Sequence, residues 1–328
     1  IFLIADEDHH GSGEIIDGGD GIDVVRYIAT DGGTLTLESG TSVEQVRISN
    51  ADGIRTGTTG ESIDASNVTA TISLFGNDGD NALTGNDKNN VLEGAGGADT
   101  LIGAIGADTL FGGNGDDVFL YANQAELLDS TELLDFVISG GEGTDRISVA
   151  GGLAVANTVW FGNVVSMEEL FVTDTAKSSI ALDASAENAG IASINISASA
   201  TDGNVIDLRE YESLGTTLVG SATNTNVLTG GAGNDTVTGG ASADTMLGGG
   251  GNDVFVFNES TVSGDGVNGG SVDGTEVNTI VIKNAIDLTK LRPIHSGGTI
   301  LLQDLLTDGA INQIVLDGGA KVNAVFSG

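Results

Sequence analysis

Large apolar residues recur at every ninth position between Leu83 and Phe119, as Leu83, Leu92, Leu101, Leu110 and Phe119. The same spacing returns in Leu228, Val237, Met246 and Phe255. Each sits in a three-residue β-type run between glycines and small polar residues, which predicts short strands with one side chain turned inward. Outside these stretches the chain alternates apolar and polar residues in further short runs. TLTLES, QVRIS, SIDAS and ATISLF lie between 34 and 75, and LFVT, SIAL, SINIS, VIDL and TTLV between 170 and 219. Gly, Asn, Asp and Ser punctuate them, with no helical period. One helix is expected, over Glu126–Leu134 (ELLDSTELL). Phe119 and Phe255 end their series and are expected to cap the core where no further coil covers it.

The intervening residues are as regular as the apolar ones. From Gly76 the chain reads GNDGDNALT, GNDKNNVLE, GAGGADTLI, GAIGADTLF, GGNGDDVFL, and from Gly230 GGAGNDTVT, GGASADTML, GGGGNDVFV. Isolated copies begin at Gly18 (GGDGIDVVR) and Gly140 (GGEGTDRIS). The template is G-G-x-G-x-D-x-U-x, U being large and apolar. Longer matches place SVEQVRIS at Ser42 beside SMEELFVT at Ser166, and Phe2 beside Phe119 and Phe255, so the chain reads as two unequal modules and the opening of a third. The expected segments are 1–75, coils with one isolated repeat; 76–121, a first repeat block; 122–225, irregular coils with the second isolated repeat; 226–258, a second block; and 259–328, the start of a third module.

Aspartate and glycine at this spacing suit a hard cation. Calcium takes about 6–8 oxygen ligands at ~2.3–2.6 Å, more than one short loop supplies. Parallel strands stack about 4.8 Å apart, so equivalent loops on successive coils come within reach of one ion. Glycine lets the backbone take positive φ and turn its carbonyls toward the ion. The candidate ligands at position 6 are Asp23, Asn81, Asn90, Asp99, Asp108, Asp117, Asp145, Asn226, Asp235, Asp244 and Asp253, with Asp20 beside the first. The candidate carbonyl-bearing glycines are Gly97, Gly106, Gly113, Gly115, Gly141, Gly143, Gly231, Gly233, Gly240, Gly249 and Gly251. Asn81, Asn90 and Asn226 bring oxygen without charge. Either they form weaker sites, or they only satisfy backbone groups at the first coil of each block.

These nonapeptides resemble the RTX, or haemolysin-type, calcium-binding repeats. The resemblance implies an all-β fold, a right-handed parallel β-roll or β-helix solenoid with calcium-binding turns and two nonapeptides per coil. Loops n and n+2 would then stack, Asp99 with Asp117, Asn90 with Asp108, Asp235 with Asp253 and Asn226 with Asp244. It also implies export by a type I route.

Composition narrows the function. The net charge is −36, from 47 acidic and 11 basic residues, so the compact chain repels itself unless cations neutralise it. Nucleic acid and anionic lipid are therefore not expected as partners, and with no apolar run near 18 residues membrane insertion is not expected either. About eight ions would bring the charge to about −20. Without cysteine, secretion has no support from disulfides, but extracellular-class calcium sites fill at about 0.1–1 mM, far above cytosolic levels. The ends read as interior to a longer chain, and no G-x-S-x-G or H-E-x-x-H is present. The expected function is a non-enzymatic, calcium-folded segment of a secreted bacterial surface-layer protein or adhesin. Its partners would be other copies of itself or cell-surface glycans. The alternatives are the folding and secretion scaffold of an exoenzyme, or a glycan-binding module. Lesser candidates are an EF-hand-like loop at 6–17, a transition-metal pair His9/His10, packed or edge-capping Trp160 and Phe161, and a basic cluster of Lys283, Lys290 and Arg292.

Overall fold

The computed structural model describes residues 1–5, 15–129, 132–133, 135, 137–156, 161–173, 175–257, 265–270 and 278–282, and the short strands Ile286–Asp287, Arg292–Pro293, Gln313–Leu316 and Val322–Asn323. The EF-hand-like loop up to residue 14, with His9 and His10, lies outside them, as do Trp160, Lys283 and Lys290. The chain forms two units, 1–150 with 160–169, and 151–159 with 170–328.

Both units are parallel β-rolls. In the first, one sheet runs Phe2–Ile4, Val24–Tyr27, Gln45–Ile48, Ser73–Phe75, Val91–Gly96, Thr109–Asn114, Val137–Glu142, Val164–Val165. The facing sheet takes Thr34–Thr36, Ser62–Asp64, Ala82–Thr84, Thr100–Ile102, Val118–Tyr121 and Arg146–Val149. From Val24 onward, consecutive strands of this ladder alternate between the sheets, so two make one coil. Within the block the register is eighteen residues, pairing Leu92 with Leu110 and Leu101 with Phe119. The nine-residue apolar period thus becomes two core columns. Val25, Val46, Leu74, Leu92, Leu110 and Ile138 stack on one side, and Leu35, Ile63, Leu83, Leu101, Phe119 and Ile147 on the other, all essentially fully buried. The second unit repeats this with Ile180, Ile206, Leu228, Met246 and Val267 facing Ile194, Leu218, Val237, Phe255 and Ile280.

Two expectations need correction. The phenylalanines do not end the core: Phe119 pairs onward with Ile147, and Phe255 with Ile280. Both are fully buried because another coil covers them. The Glu126–Leu134 helix is a single turn, Gln124–Leu127. Asn123 Oδ1 accepts from Ala125 N–H, and Glu126 Oε2 accepts from Ala122 N–H, a reciprocal cap. Leu128–Asp129 then pairs antiparallel with Glu132–Leu133. So short a helix has too few internal bonds to outlast a competing strand pair. An unexpected helix, Ala184–Ala189, is capped by Asp183, which accepts from Ser185 N–H at 2.9 Å, and ended by Gly190 at φ 103. Phe161 is buried, in keeping with a packed residue.

Candidate metal centre

Each turn of the roll places the position-6 residue two positions before a core residue, where the chain enters the strand. Its side chain cannot join the core. It folds along the stack and bonds to the coil before it. Asn81 N–H donates to Asp99 Oδ1 at 2.7 Å, Asp99 N–H to Asp117 Oδ1 at 2.8 Å, and Asp117 N–H to Asp145 Oδ1 at 2.9 Å. On the opposite side Asn90 N–H donates to Asp108 Oδ1 at 2.7 Å and Asp108 N–H to Asp135 Oδ1 at 3.1 Å. In the second unit Thr216, Asp235, Asp253 and Asn278 make one such ladder, and Asn226, Asp244 and Asp265 another. The stacking pairs that the resemblance implied, 99 with 117, 90 with 108, 235 with 253 and 226 with 244, are the pairs that meet.

One carboxylate oxygen is thereby used, and the other is left over. Oδ2 of Asp99, Asp108, Asp117, Asp145 and Asp244 is buried with no hydrogen-bond partner among the described residues. Each lies over the position-1 glycine of its own repeat, Gly94, Gly103, Gly112, Gly140 and Gly239, in the space a Cβ would take. Over Gly94 and Gly112 the carbonyl oxygen of the next coil's position 1 converges on the same place, from Gly112 and Gly140. This explains glycine at position 1, because any side chain there would displace the carboxylate.

Burial dominates the electrostatics. It pushes Asp99 up to about 8, against a lowering by the Asn81 N–H bond and a further rise from Asp117 and Asp80. Asp108, Asp117 and Asp244 rise to about 7, and Asp135, Asp145 and Asp265 to about 6, in each case mainly by desolvation. Buried, unpaired carboxylate oxygens beside inward carbonyls are the donor set a hard cation takes, so calcium fits these residues. Among the described residues no three Asp, Glu, His or Cys side chains cluster as a metal-holding group, so carbonyls must complete any such set.

The asparagines behave differently. Asn81 Oδ1 accepts from Asn77 N–H and Asn90 Oδ1 from Asn86 N–H, at 2.7 and 2.8 Å. Their amides donate to Glu61 O and Ile72 O. Asn226 Oδ1 accepts from Ser221 N–H, and its amide donates to Gly239 O at 3.1 Å. The oxygens reserved for an ion are here engaged by backbone. Asp235 is intermediate, its Oδ2 accepting from Gly231 N–H at 2.9 Å. Asp23 N–H donates to Glu44 Oε2 at 2.7 Å, whereas Asp20 is exposed.

Most of the candidate glycines, Gly113 (φ 122), Gly115 and Gly251 among them, do have positive φ. Gly106, Gly231 and Gly233 do not. They are glycine because a Cβ would strike Lys88 O, the Tyr211 side chain and the Leu214–Gly215 backbone. Ala95 (φ 92) and Ala104 (φ 72) hold position 2 in the left-handed region without being glycine.

Several ladder members do not fit the nonapeptide template. Glu44, Glu61, Asp135, Glu168, Asp265 and Asn278 belong here, and the signal for most is an acid or amide two residues before a core residue. Asp135, three before Ile138, breaks even that rule. Position 5 forms a second ladder of opposite direction: Asp80 Oδ1 accepts from Ala98 N–H, Asn89 from Ala107, Asp116 from Thr144 and Asn234 from Asn252.

A parallel roll whose turns gather buried, half-satisfied carboxylates defines a cation-stacked solenoid. The repeats themselves are RTX calcium-binding nonapeptides: the family model of that repeat matches in four copies, over residues 75–110, 96–123 and 222–255. No curated protein and no solved structure matches the chain significantly. The chain is thus a calcium-binding structural segment of RTX type. No helix among the described residues is long and apolar enough to cross a membrane.

Proposed function

We propose that the chain is a non-enzymatic segment of a secreted bacterial surface protein, of surface-layer or adhesin type, that folds and stiffens on meeting calcium outside the cell. The carrying observation is the ladder of buried carboxylates, in which Asp99, Asp108, Asp117, Asp145 and Asp244 each commit one oxygen to the preceding coil and keep one left over. Ionising such a stack is costly, because burial and neighbouring carboxylates both oppose the charge, and the glycine-rich chain loses much conformational entropy on ordering. Calcium supplies positive charge and accepts the leftover oxygens, so binding free energy becomes folding free energy. The protein's part is to hold position 6 in register, to keep position 1 clear of side chains, and to turn carbonyls inward. Because repetition serves stacking, this reading assigns no carboxylate of the ladders to catalysis.

Chelator-treated protein titrated with calcium, followed by far-UV circular dichroism with magnesium as control, tests the proposal. A cooperative gain of β-signal with calcium alone is expected. Sedimentation of the same samples is expected to show assembly on folding, with copies of the chain as partners. A strictly monomeric folded form would favour the exoenzyme scaffold. A chelated chain already fully β and indifferent to calcium would refute the mechanism.

A further inference from the structure

A cradle built from two stacked loops leaves each isolated nonapeptide without a second loop. For Asp145 the structure supplies one. Asp145 is fully buried, its Oδ1 accepts from Asp117 N–H, and its Oδ2 has no partner among the described residues. That Oδ2 lies over Gly140, and the oxygen converging on the same place is the carbonyl of Ser166. Ser166 takes the role Gly112 plays over Gly94, and holds a left-handed φ of 51 that a serine does not favour. Glu168 then does what the next aspartate does within a block: its Oε2 accepts from Asp145 N–H at 2.7 Å. A related arrangement occurs at Gly18, where the half-buried Asp23 brings its Cβ and Cγ, rather than its Oδ2, nearest the glycine. Ser42 O faces Gly18, Gly18 N–H donates to it at 3.2 Å, and Glu44 Oε2 accepts from Asp23 N–H at 2.7 Å. Asp23 Oδ2 is likewise buried without a partner.

We infer that the turns Ser166–Glu168 and Ser42–Glu44 are the second halves of two further calcium sites, completed with Gly140–Asp145 and Gly18–Asp23. The serine carbonyl and the glutamate stand in for the position-1 carbonyl and position-6 aspartate of a following nonapeptide. Asp135 shows the contrasting closure. Its Oδ1 takes Asp108 N–H and its Oδ2 takes the Tyr121 hydroxyl, so a protein donor satisfies that column's end. At Asp145 no such donor is present among the described residues, and a cation fills the role. The Ser-x-Glu turn therefore adds a site where the template ends, outside the residues matched by the repeat model.

The inference rests on the calcium reading of the nonapeptides, and the test separates the two. Bound calcium is counted on the whole chain by native mass spectrometry and equilibrium dialysis. Wild type is compared with Glu168→Gln, Glu168→Asp, Glu44→Gln and the neighbour control Glu169→Gln, whose parent carboxylate lies 3.9 Å from Arg146. Glutamine keeps an acceptor for Asp145 N–H and removes only the charge. Glu168→Gln is expected to lose one ion, or to bind it at least about tenfold more weakly, with circular dichroism unchanged. Glu44→Gln should lose another, Glu168→Asp should retain it, and Glu169→Gln should match wild type. Unchanged count and affinity in Glu168→Gln overturns the inference alone. Equal loss in the Gln and Asp variants together with loss of β-signal makes the turn a folding element and also overturns it. A wild type that binds no calcium overturns the underlying reading instead.

Discussion

Replacing Asp99 by asparagine should stabilise the protein without calcium and destabilise it with calcium. Asp99 is almost fully buried, and its Oδ1 accepts from Asn81 N–H at 2.7 Å, a bond an amide oxygen makes equally well. The new Nδ2 would occupy the place of Oδ2, facing the Gly112 carbonyl. The fold already tolerates this, since Asn226 donates to the Gly239 carbonyl at 3.1 Å in the corresponding place. What changes is the charge. Burial raises Asp99 from 3.8 to about 8. At pH 7 it is therefore mostly protonated in the folded roll and ionised when unfolded, a penalty of up to about 4 kcal/mol over some three pH units. Water reaching the loop screens part of this, leaving about 2 kcal/mol. Urea unfolding at pH 7 in chelator should accordingly show Asp99→Asn more stable by about 2 kcal/mol. In saturating calcium the order should reverse, with the folding midpoint moved to about tenfold higher calcium. At pH 4 in chelator the two proteins should converge, because the carboxyl is then neutral in the roll and half-neutral when unfolded. A variant less stable in chelator as well as in calcium would show that Asp99 holds the coil by packing and hydrogen bonding alone.

The same sign governs the whole stack. Folded values near 6 to 8 for Asp99, Asp108, Asp117, Asp145 and Asp244 mean that the native state binds more protons, so stability without calcium is fully present below about pH 4 and is lost as pH rises through 6 to 8. A chelated sample scanned from pH 8 to 4 by circular dichroism should gain β-signal, and a loss would contradict the burial account. Gly113→Ala should cost about 3 kcal/mol, since φ is 122 and the Cβ would lie 2.7 Å from the Ala95 carbonyl carbon, while Ala95→Gly should gain up to about 1 kcal/mol, both read by thermal unfolding in calcium. Asn90→Ala removes bonds to Asn86 N–H and Ile72 O and should cost about 2 kcal/mol alike in calcium and chelator. Asp108→Ala should be costlier in calcium than in chelator, and equal shifts of the calcium midpoint in the two variants would count against the charge-based division.

The core was legible because a roll repeats one decision. An apolar residue every nine positions, at two strands per coil, returns to the same column every eighteen, and Leu83, Leu101 and Phe119 obey it. The loops were legible too, and which aspartates meet followed from the two nonapeptides per coil that the RTX resemblance implied. What the template hid was the commoner grammar beneath it. Glu61 and Glu168 do the position-6 job without the glycines, because the ladder requires only a side-chain oxygen of sufficient reach two residues before the core. The template also suggested that every loop glycine serves a positive φ, whereas Gly231 and Gly233 are small because neighbouring chain crowds them. The Phe119 and Phe255 caps failed because a bulky residue marks the end of the strict repeat, while the roll continues on Ile147 and Ile280.

The two ladders also give the stack a direction. At position 6 each coil offers its N–H to the carboxylate of the following coil, as Asp99 does to Asp117. At position 5 the bond runs the other way, from Ala98 N–H back to Asp80. A coil's turn is thus complete only when both neighbours are in place, and the leftover Oδ2 lies where the next coil's carbonyl arrives. No single loop therefore assembles a cradle: over Gly94 the converging oxygens, Asp99 Oδ2 and the Gly112 carbonyl, belong to different coils. An ion held there would tie together two coils, through Asp99 Oδ2 of one and the Gly112 carbonyl of the next. Binding at one level would then preorganise the next, and ion uptake within a column is expected to be cooperative. In the first unit the columns end at Asp135, whose Oδ2 takes the Tyr121 hydroxyl, and at the Ser-x-Glu turn of Glu168, whose Oε2 takes the Asp145 N–H.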